Sequence, residues 1–358
     1  MRLMTNRHHL NHPDAWSWIR AFYFEPCKDS LILDGVWPAV TPTCGCSHVR
    51  RAYFQRDWVG GPNILVGLRP CCEVTRPSET ASRIEQYVAR NPSRSSLSAT
   101  EHARIAESLI RHERNGQAGV LQPNNSVFVG QNEPEGPLVQ HPPIKEAYRN
   151  YLCDSSMFCV DWLREIRVGA LDRCDLAVHL MIALLWLTDR AYLRSHVSLM
   201  SHAIGFFSID RDGSIRRKFA GRYEGVAGDA TRRVLLADVA ALERDEAVVS
   251  GMVEFVALLR NCLTDFYSST KSKRYQPEPM TGQLDASPAW RSWQITISLL
   301  YRTLNQLGLT PLERFLACYM ISRACEDIYG AKALELKEIL NRGPEGAESI
   351  LTFFHQYA

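Results

Sequence analysis

AYFQRDWVGGPNILVGLR, residues 52–69, reads as two strands around a tight turn. Ala52-Tyr53-Phe54-Gln55-Arg56 mixes aromatic and polar types, and Asn63-Ile64-Leu65-Val66-Gly67-Leu68 is a short apolar run of strand length. Gly60-Gly61-Pro62 between them interrupts both periodicities and marks the reversal. Upstream, WSWIRAFYF (residues 16–24) alternates aromatic and polar side chains and predicts another strand. Residues 28–40 have a mixed apolar pattern that fits a short helix. The N-terminal third is therefore expected to be a small sheet with helices.

Further along, helical spacing dominates. Ile105, Ala106 and Leu109 share a face within 99–115. Helices are expected at about 144–166, 231–268 and 288–305, a long apolar helix or helix pair at about 172–205, and a last one begins near 344. Thr310-Pro311-Leu312-Glu313 predicts a helix start, with Thr as cap, Pro in the first position and Glu in the third. Residues 116–143 are rich in Gly, Pro, Asn and Gln and read as a long loop, so 78–143 is expected to be a surface excursion. Phe206 to Phe219 reads as a hairpin with Asp210-Arg211-Asp212-Gly213 at its turn. The whole is expected to be one α+β unit over 1–358, with a small antiparallel sheet in the N-terminal part and a mostly helical C-terminal part.

Composition narrows the function classes. The chain has 358 residues, 46% of them hydrophobic and 22% charged, which excludes collagen-like, disordered and coiled-coil classes. Basic residues number 41 against 39 acidic, a balance that argues against a nucleic-acid partner. Only seven of the 41 are Lys, and Arg is the better grip for carboxylates. The longest apolar run, Leu180 to Leu187, is too short to span a bilayer, which needs about 20 residues. The opening MRLMTNRHHLNHPDAW has no apolar signal core, so a cytoplasmic location without a membrane partner is expected. The eleven cysteines are then expected as free thiols. Cys44, Cys46, His48, Cys71 and Cys72 have irregular spacing for zinc, the His8, His9, His12 tract sits at a terminus expected to be mobile, and no metal is expected. P-loop, G-x-G-x-x-G, H-E-x-x-H and G-x-S-x-G motifs are missing.

Trp16-x-Trp18, Phe22-Tyr23, Pro38, Tyr53-Phe54-Gln55-Arg56, Gly60-Gly61-Pro62-Asn63 and Gly67-Leu68-Arg69 follow one another in a characteristic layout. With Leu199-Met200-Ser201-His202-Ala203 and the segment Tyr319 to Glu326, this resembles the thiopeptide-type bacteriocin biosynthesis proteins, relatives of the elimination domain of lantibiotic dehydratases. The similarity spans most of the chain. Eliminating relatives carry a His before Asn-Arg in the last conserved helix, where this chain has Cys318 to Arg323 without His. Their His-x-Arg after the turn is replaced by Asn63-Ile64-Leu65, and only Arg56 is retained. Elimination needs a base for the α-proton and cations for the departing carboxylate. The chain is therefore more similar to the stand-alone pyridine synthases of the thiomuracin type.

That resemblance implies a lyase and cyclase acting on a precursor peptide with azoles and two dehydroalanines. A formal [4+2] cycloaddition, then loss of water and of the leader peptide, gives a pyridine-centred macrocycle. No cofactor is implied. Neutral hydroxyls suit the proton transfers. Tyr319 is the first candidate donor and Ser287 the second, although Ser287 before Pro288 also suits a helix cap. Arg56 and Arg323 are candidate substrate ligands, with an Arg323–Glu326 surface pair as the structural reading. His202 is a further proton carrier or a satisfied helix-end histidine. Trp290 and Trp293, three apart, stack on azoles or pack in a core. The window 211–233 holds seven basic and three acidic residues, and Arg216 and Arg217 in it are candidates for binding an acidic leader. Arg104, Arg111 and Arg114 offer another basic surface. Two other readings remain, a glutamate-eliminating dehydratase subunit and a non-catalytic leader-binding subunit. Long apolar helices also allow a homodimer.

Overall fold

The structure, a computed structural model, describes residues 16–41, 51–69, 77–113, 119–130, 142–188, 193, 195–207, 210, 212–271 and 288–330. They form two compact units. The first runs to Ala170 and takes in Asn305–Gly308; the second holds Leu171–Leu304 and continues from Leu309.

The first unit is built on a four-stranded antiparallel sheet of order β2-β3-β1-β4. Its strands are β1 (Ser17–Phe22), β2 (Arg51–Asp57), β3 (Asn63–Arg69) and β4 (Ser126–Gly130). The expected turn joins β2 to β3, with Gly60 at φ 78° and Gly61 at φ 111°, values that favour residues without a Cβ. Across one row, Tyr53 pairs with Gly67 and Gly67 with Trp18. The Tyr53 ring lies over Gly67, and Trp18 Nε1 donates to its hydroxyl at 3.2 Å. On the other face Phe54, Val66 and Ile19 share a row and are fully buried.

Helical segments complete this unit. A π-helical turn (Leu31–Val36) leads into α1 (Trp37–Val40), which matches the short helix expected there. Helices α2 (Pro77–Arg90), α3 (Ala99–Glu113) and α4 (Pro142–Arg167) follow. The stretch read as an excursion, 78–143, holds regular elements among its described residues. Helix α2 buries Ala81, Ile84 and Val88, a stripe at helical spacing, and β4 pairs with β1 from Trp18–Gly130 to Phe22–Ser126. The polar residues before β4 look like loop because their side chains satisfy a reversal. Asn125, at φ 63°, accepts from Ser93 N–H at 2.7 Å, and Asn124 donates to Ser95 O at 2.8 Å.

Strand β2 lies at the sheet edge, where unpaired backbone groups need partners. Ser156 Oγ of α4 accepts from Phe54 N–H at 3.2 Å. Gln306 Nε2 donates to Phe54 O at 2.8 Å and to Ser156 Oγ at 2.9 Å, while its Oε1 accepts from Ser155 Oγ at 3.0 Å. Gln306 is wholly buried, and these bonds leave its amide well satisfied.

The second unit is helical: α5 (Arg173–Thr188), α6 (His196–Phe207), α7 (Ser214–Glu224), α8 (Val226–Glu243), α9 (Met252–Lys271), α10 (Pro288–Leu307, its last turn counted with the first unit) and α11 (Pro311–Tyr329). Leu180 to Trp186 of α5 are buried on every side, as expected of a central helix, and α8, α9 and α11 pack on it. His179 Nδ1 lies 2.6 Å from Asp238 Oδ2, tying α5 to α8. The α11 cap is as expected: Glu313 N–H donates to Thr310 Oγ1, and Thr310 N–H to Glu313 Oε2. Among the described residues no helix is long and apolar enough to cross a membrane. The expected helix near 344 lies outside the described residues.

The hairpin expected at Phe206–Phe219 is a helix–turn–helix instead. The turn is present, with Gly213 at φ 67°, but its aspartates serve α7. Asp212 Oδ1 accepts from Ser214 N–H at 3.0 Å and Asp210 Oδ2 from Arg216 N–H at 2.9 Å. Phe206 and Phe207 each meet the Phe219 ring of α7, and on α11 they meet Phe315 and Tyr319 respectively.

Candidate active site

Helices α6, α7 and α11 enclose a cleft of about 430 Å³. Met200, Ile204 and Phe207 enter from α6, Arg216 and Ala220 from α7, and Tyr319 and Arg323 from α11. Each helix contributes residues at spacings of three or four, so each presents one face. Ser322 Oγ donates to His196 O at 3.1 Å, which pins α11 to the start of α6.

Tyr319 is half-buried against three rings. The Phe207 ring centroid is at 5.8 Å, Phe219 at 5.9 Å and Tyr223 at 6.5 Å, the last at an interplanar angle of 89°. Burial raises the Tyr319 hydroxyl above the ordinary phenol value, and the Arg323 and Arg216 charges act against that rise. The group is therefore a neutral donor at physiological pH. Among the described residues its hydroxyl makes no hydrogen bond.

The two arginines differ. Arg323 Nη1 donates to Glu326 Oε2 at 2.6 Å, so the expected i,i+3 pair exists, but the Glu326 side chain is only 2% exposed. Arg216 is exposed, and among the described residues its guanidinium makes no ion pair. The cleft thus combines apolar walls, a neutral hydroxyl, one neutralised guanidinium and one uncompensated one. It can bind a largely apolar group, donate a proton to an oxygen and stabilise negative charge developing there.

The other sequence candidates fall elsewhere. Arg56 belongs to the first unit, where Nη2 donates to Asp29 Oδ1 at 2.7 Å and Nε to Gln306 O at 3.0 Å. Its guanidinium is occupied as a structural tie. His202 sits in the body of α6, about 200° around the helix from Met200, and does not line the cleft. Its ring packs edge-on against Tyr301 at 4.7 Å; burial, aided by the Arg314 charge, holds it down to about 4, so it is neutral near pH 7. It is not a helix-end histidine. Arg217 is exposed on α7 outside the cleft lining. Ser287 and Cys44, Cys46, His48, Cys71 and Cys72 lie outside the described residues, as do the side chains of Trp290 and Trp293. Among the described residues no three His, Cys, Asp or Glu side chains converge as metal ligands.

Sequence reading passed over Met200, Ile204, Phe207, Ala220 and Tyr223. The i, i+4, i+7 spacing on α6 was the available signal, since Ile204 is apolar yet 40% exposed.

No family model matches the chain, and no curated protein is similar to it in sequence. Solved structures do match. The pyridine synthase TbtD from thiomuracin biosynthesis superposes with a TM-score of 0.73 at 24% identity, covering 88% of this chain and 99% of TbtD. TsrL matches at TM-score 0.63 and 14% identity, over 89% and 96% of the two chains. The tRNA-dependent lantibiotic dehydratase MibB from Microbispora sp. 107891 gives 0.45 at 16% identity, over 89% of this chain and 28% of that one. The chain has the fold of the thiomuracin pyridine synthase.

Proposed function

We propose that the chain is a pyridine synthase of thiopeptide biosynthesis, acting on a precursor peptide that carries azoles and two dehydroalanines. The observation that carries this reading is the uncommitted Tyr319 hydroxyl between Arg216 and Arg323 in a cleft of the TbtD-like fold. The amide preceding one dehydroalanine tautomerises to a 2-azadiene whose terminal carbon bears a hydroxyl. Its two ends bond to the double-bond carbons of the other dehydroalanine, closing a six-membered ring. Water then leaves from the hydroxyl-bearing carbon and the leader leaves as a carboxamide, which aromatises the ring. The sequence is redox-neutral: bonds are rearranged, and water and an amide are expelled.

The largest obstacle is joining two distant residues of a flexible chain, which costs loop-closure entropy. A preformed cleft offsets that cost by holding the reacting atoms in register. Tyr319 donates a hydrogen bond to the amide oxygen during tautomerisation and a proton to the departing hydroxyl. Arg323 and Arg216 stabilise the phenolate character that this donation creates. Arg216, with Arg217, Lys218 and Arg222 exposed beside it, also draws an acidic leader toward the cleft. Ser287 is the second donor of this proposal. The eliminating alternative needs a base for an α-proton, and the neutral His202 packed on Tyr301 does not serve the cleft.

The test is mass spectrometry after incubating the purified protein with a leader-bearing peptide that contains azoles and two dehydroalanines. Release of leader carboxamide with a macrocycle lighter by that leader and one water is expected. Unchanged peptide that nevertheless binds would replace this reading with that of a leader-binding subunit.

A further inference from the structure

We propose that Tyr223 and Glu326 are positioning residues that together mount the Arg323 guanidinium on the cleft wall beside Tyr319. The inference rests on the reading above, in which Arg323 and Tyr319 face the reacting peptide. Neither Tyr223 nor Glu326 lines the cleft. Glu326 is 4% exposed and one helical turn beyond Arg323, and its Oε2 accepts from Arg323 Nη1 at 2.6 Å. The guanidinium carbon of the same arginine lies 5.8 Å from the Tyr223 ring centroid. One contact fixes an end of the planar fork and the other its face, so together they restrict both reach and rotation.

Tyr223 is itself anchored. It is 5% exposed, and its hydroxyl donates to Asp327 Oδ2 at 2.6 Å. Arg232 Nη1 donates to the Tyr223 hydroxyl at 2.9 Å and to Asp327 Oδ2 at 2.7 Å, with its guanidinium carbon 5.3 Å from the ring centroid. Arg232 also pairs with Asp229. The ring so held meets Tyr319 edge-on, so a single side chain bears on both polar groups of α11 that face the cleft. An exposed i,i+3 pair would not need this apparatus, and the burial of Glu326 sets this pair apart from one. Arg216 across the cleft has no equivalent mount among the described residues. One cation is therefore fixed where charge develops and the other is left to follow the peptide.

The experiment uses the full chain with selectively ¹⁵N-labelled arginine. The Arg323 guanidinium signals are assigned through Arg323→Lys, and their rotational averaging is compared in wild type, Tyr223→Phe, Tyr223→Leu and Glu326→Gln. kcat and KM are measured on the peptide described above, and folding is checked by circular dichroism. Tyr223→Phe keeps the ring but loses the hydroxyl's hold on Asp327 and Arg232, and is expected to give a partly averaged guanidinium signal and a kcat between those of wild type and Tyr223→Leu. Tyr223→Leu and Glu326→Gln are expected to give an averaged Arg323 signal and a kcat lower by about tenfold or more, with KM little changed. A merely structural residue would not free one guanidinium in a folded protein. An Arg323 signal that stays restrained in both folded variants overturns the proposal. Should Tyr223→Leu not fold, Glu326→Gln decides it. Should wild type not turn over the peptide, the functional reading fails while the guanidinium signals still decide the mount.

Discussion

The Tyr53 ring fills the space above Gly67 in which any other residue would carry a side chain. A Cβ on Gly67 would stand 2.3 Å from two ring carbons. The ring crosses from β2 over β3 to reach Trp18 on β1. Gly67→Ala is therefore expected to destabilise the first unit by about 3 kcal/mol or more, because a buried ring at a strand crossing has no room to withdraw. Urea denaturation checks this. Tyr53→Phe, which keeps the packing and strips one hydrogen bond, should cost only about 1 kcal/mol.

Gln306→Leu separates polar satisfaction from volume. The substitution leaves Phe54 O, Ser155 Oγ and Ser156 Oγ without their amide partner in a wholly buried place. About 2–4 kcal/mol of stability is expected to be lost. Hydrogen exchange should show the loss first at β2, whose edge Gln306 covers. An unchanged midpoint together with unchanged exchange at β2 would be inconsistent with this role.

His202 makes stability depend on pH in a defined window. Folding holds its imidazole at about 4 against an ordinary 6.5, chiefly through burial. The folded state thus binds fewer protons than the unfolded chain between those values. The stabilising effect of the neutral ring is fully present above pH 6.5 and fades as pH falls toward 4, on the order of 3 kcal/mol in all. His202→Phe is expected to flatten the decline in melting temperature between pH 6.5 and 5. A decline as steep in the variant as in wild type would exclude His202 as its source.

Under the proposed function, Tyr319→Phe removes the proton donor and leaves the ring among Phe207, Phe219 and Tyr223. kcat for macrocycle release should fall by about 10²–10⁴ with little change in KM. Because burial raises the hydroxyl above its ordinary value, wild-type kcat should hold through neutral pH and decline only as the phenol ionises at high pH. Turnover unaffected by Tyr319→Phe would move the donor role to another group.

Arg216 carries the charge of the cleft that no described side chain neutralises. Under the proposed function, Arg216→Gln is expected to raise KM for the leader-bearing peptide by about 10-fold and to weaken the salt dependence of binding, while kcat changes less. Fluorescence anisotropy of a labelled leader peptide at two ionic strengths reads this directly. Equal salt dependence in variant and wild type would remove Arg216 from peptide capture.

Local patterns in the chain determined most of the elements. The β2–β3 turn follows from Gly60 and Gly61, the α11 start from Thr310, Pro311 and Glu313, and the apolar helix α5 from its unbroken apolar run. Each rests on interactions within a few residues, so short-range chemistry is enough to read them. The short strand β4 escaped because its five residues carry little pattern and its pairing with β1 is long-range. The same limit applied to Phe206–Phe219, whose turn chemistry is equally valid between strands and between helices. Only packing against Phe315 and Tyr319 selects helices there. The site divides in the same way. Residue type and resemblance single out Tyr319, Arg216 and Arg323 as candidates, but only tertiary structure places them around one cleft, withdraws Arg56 into a pair with Asp29 and turns His202 toward Tyr301. Chemistry belongs to side chains one at a time, whereas convergence depends on which helix faces meet, and no local spacing encodes that.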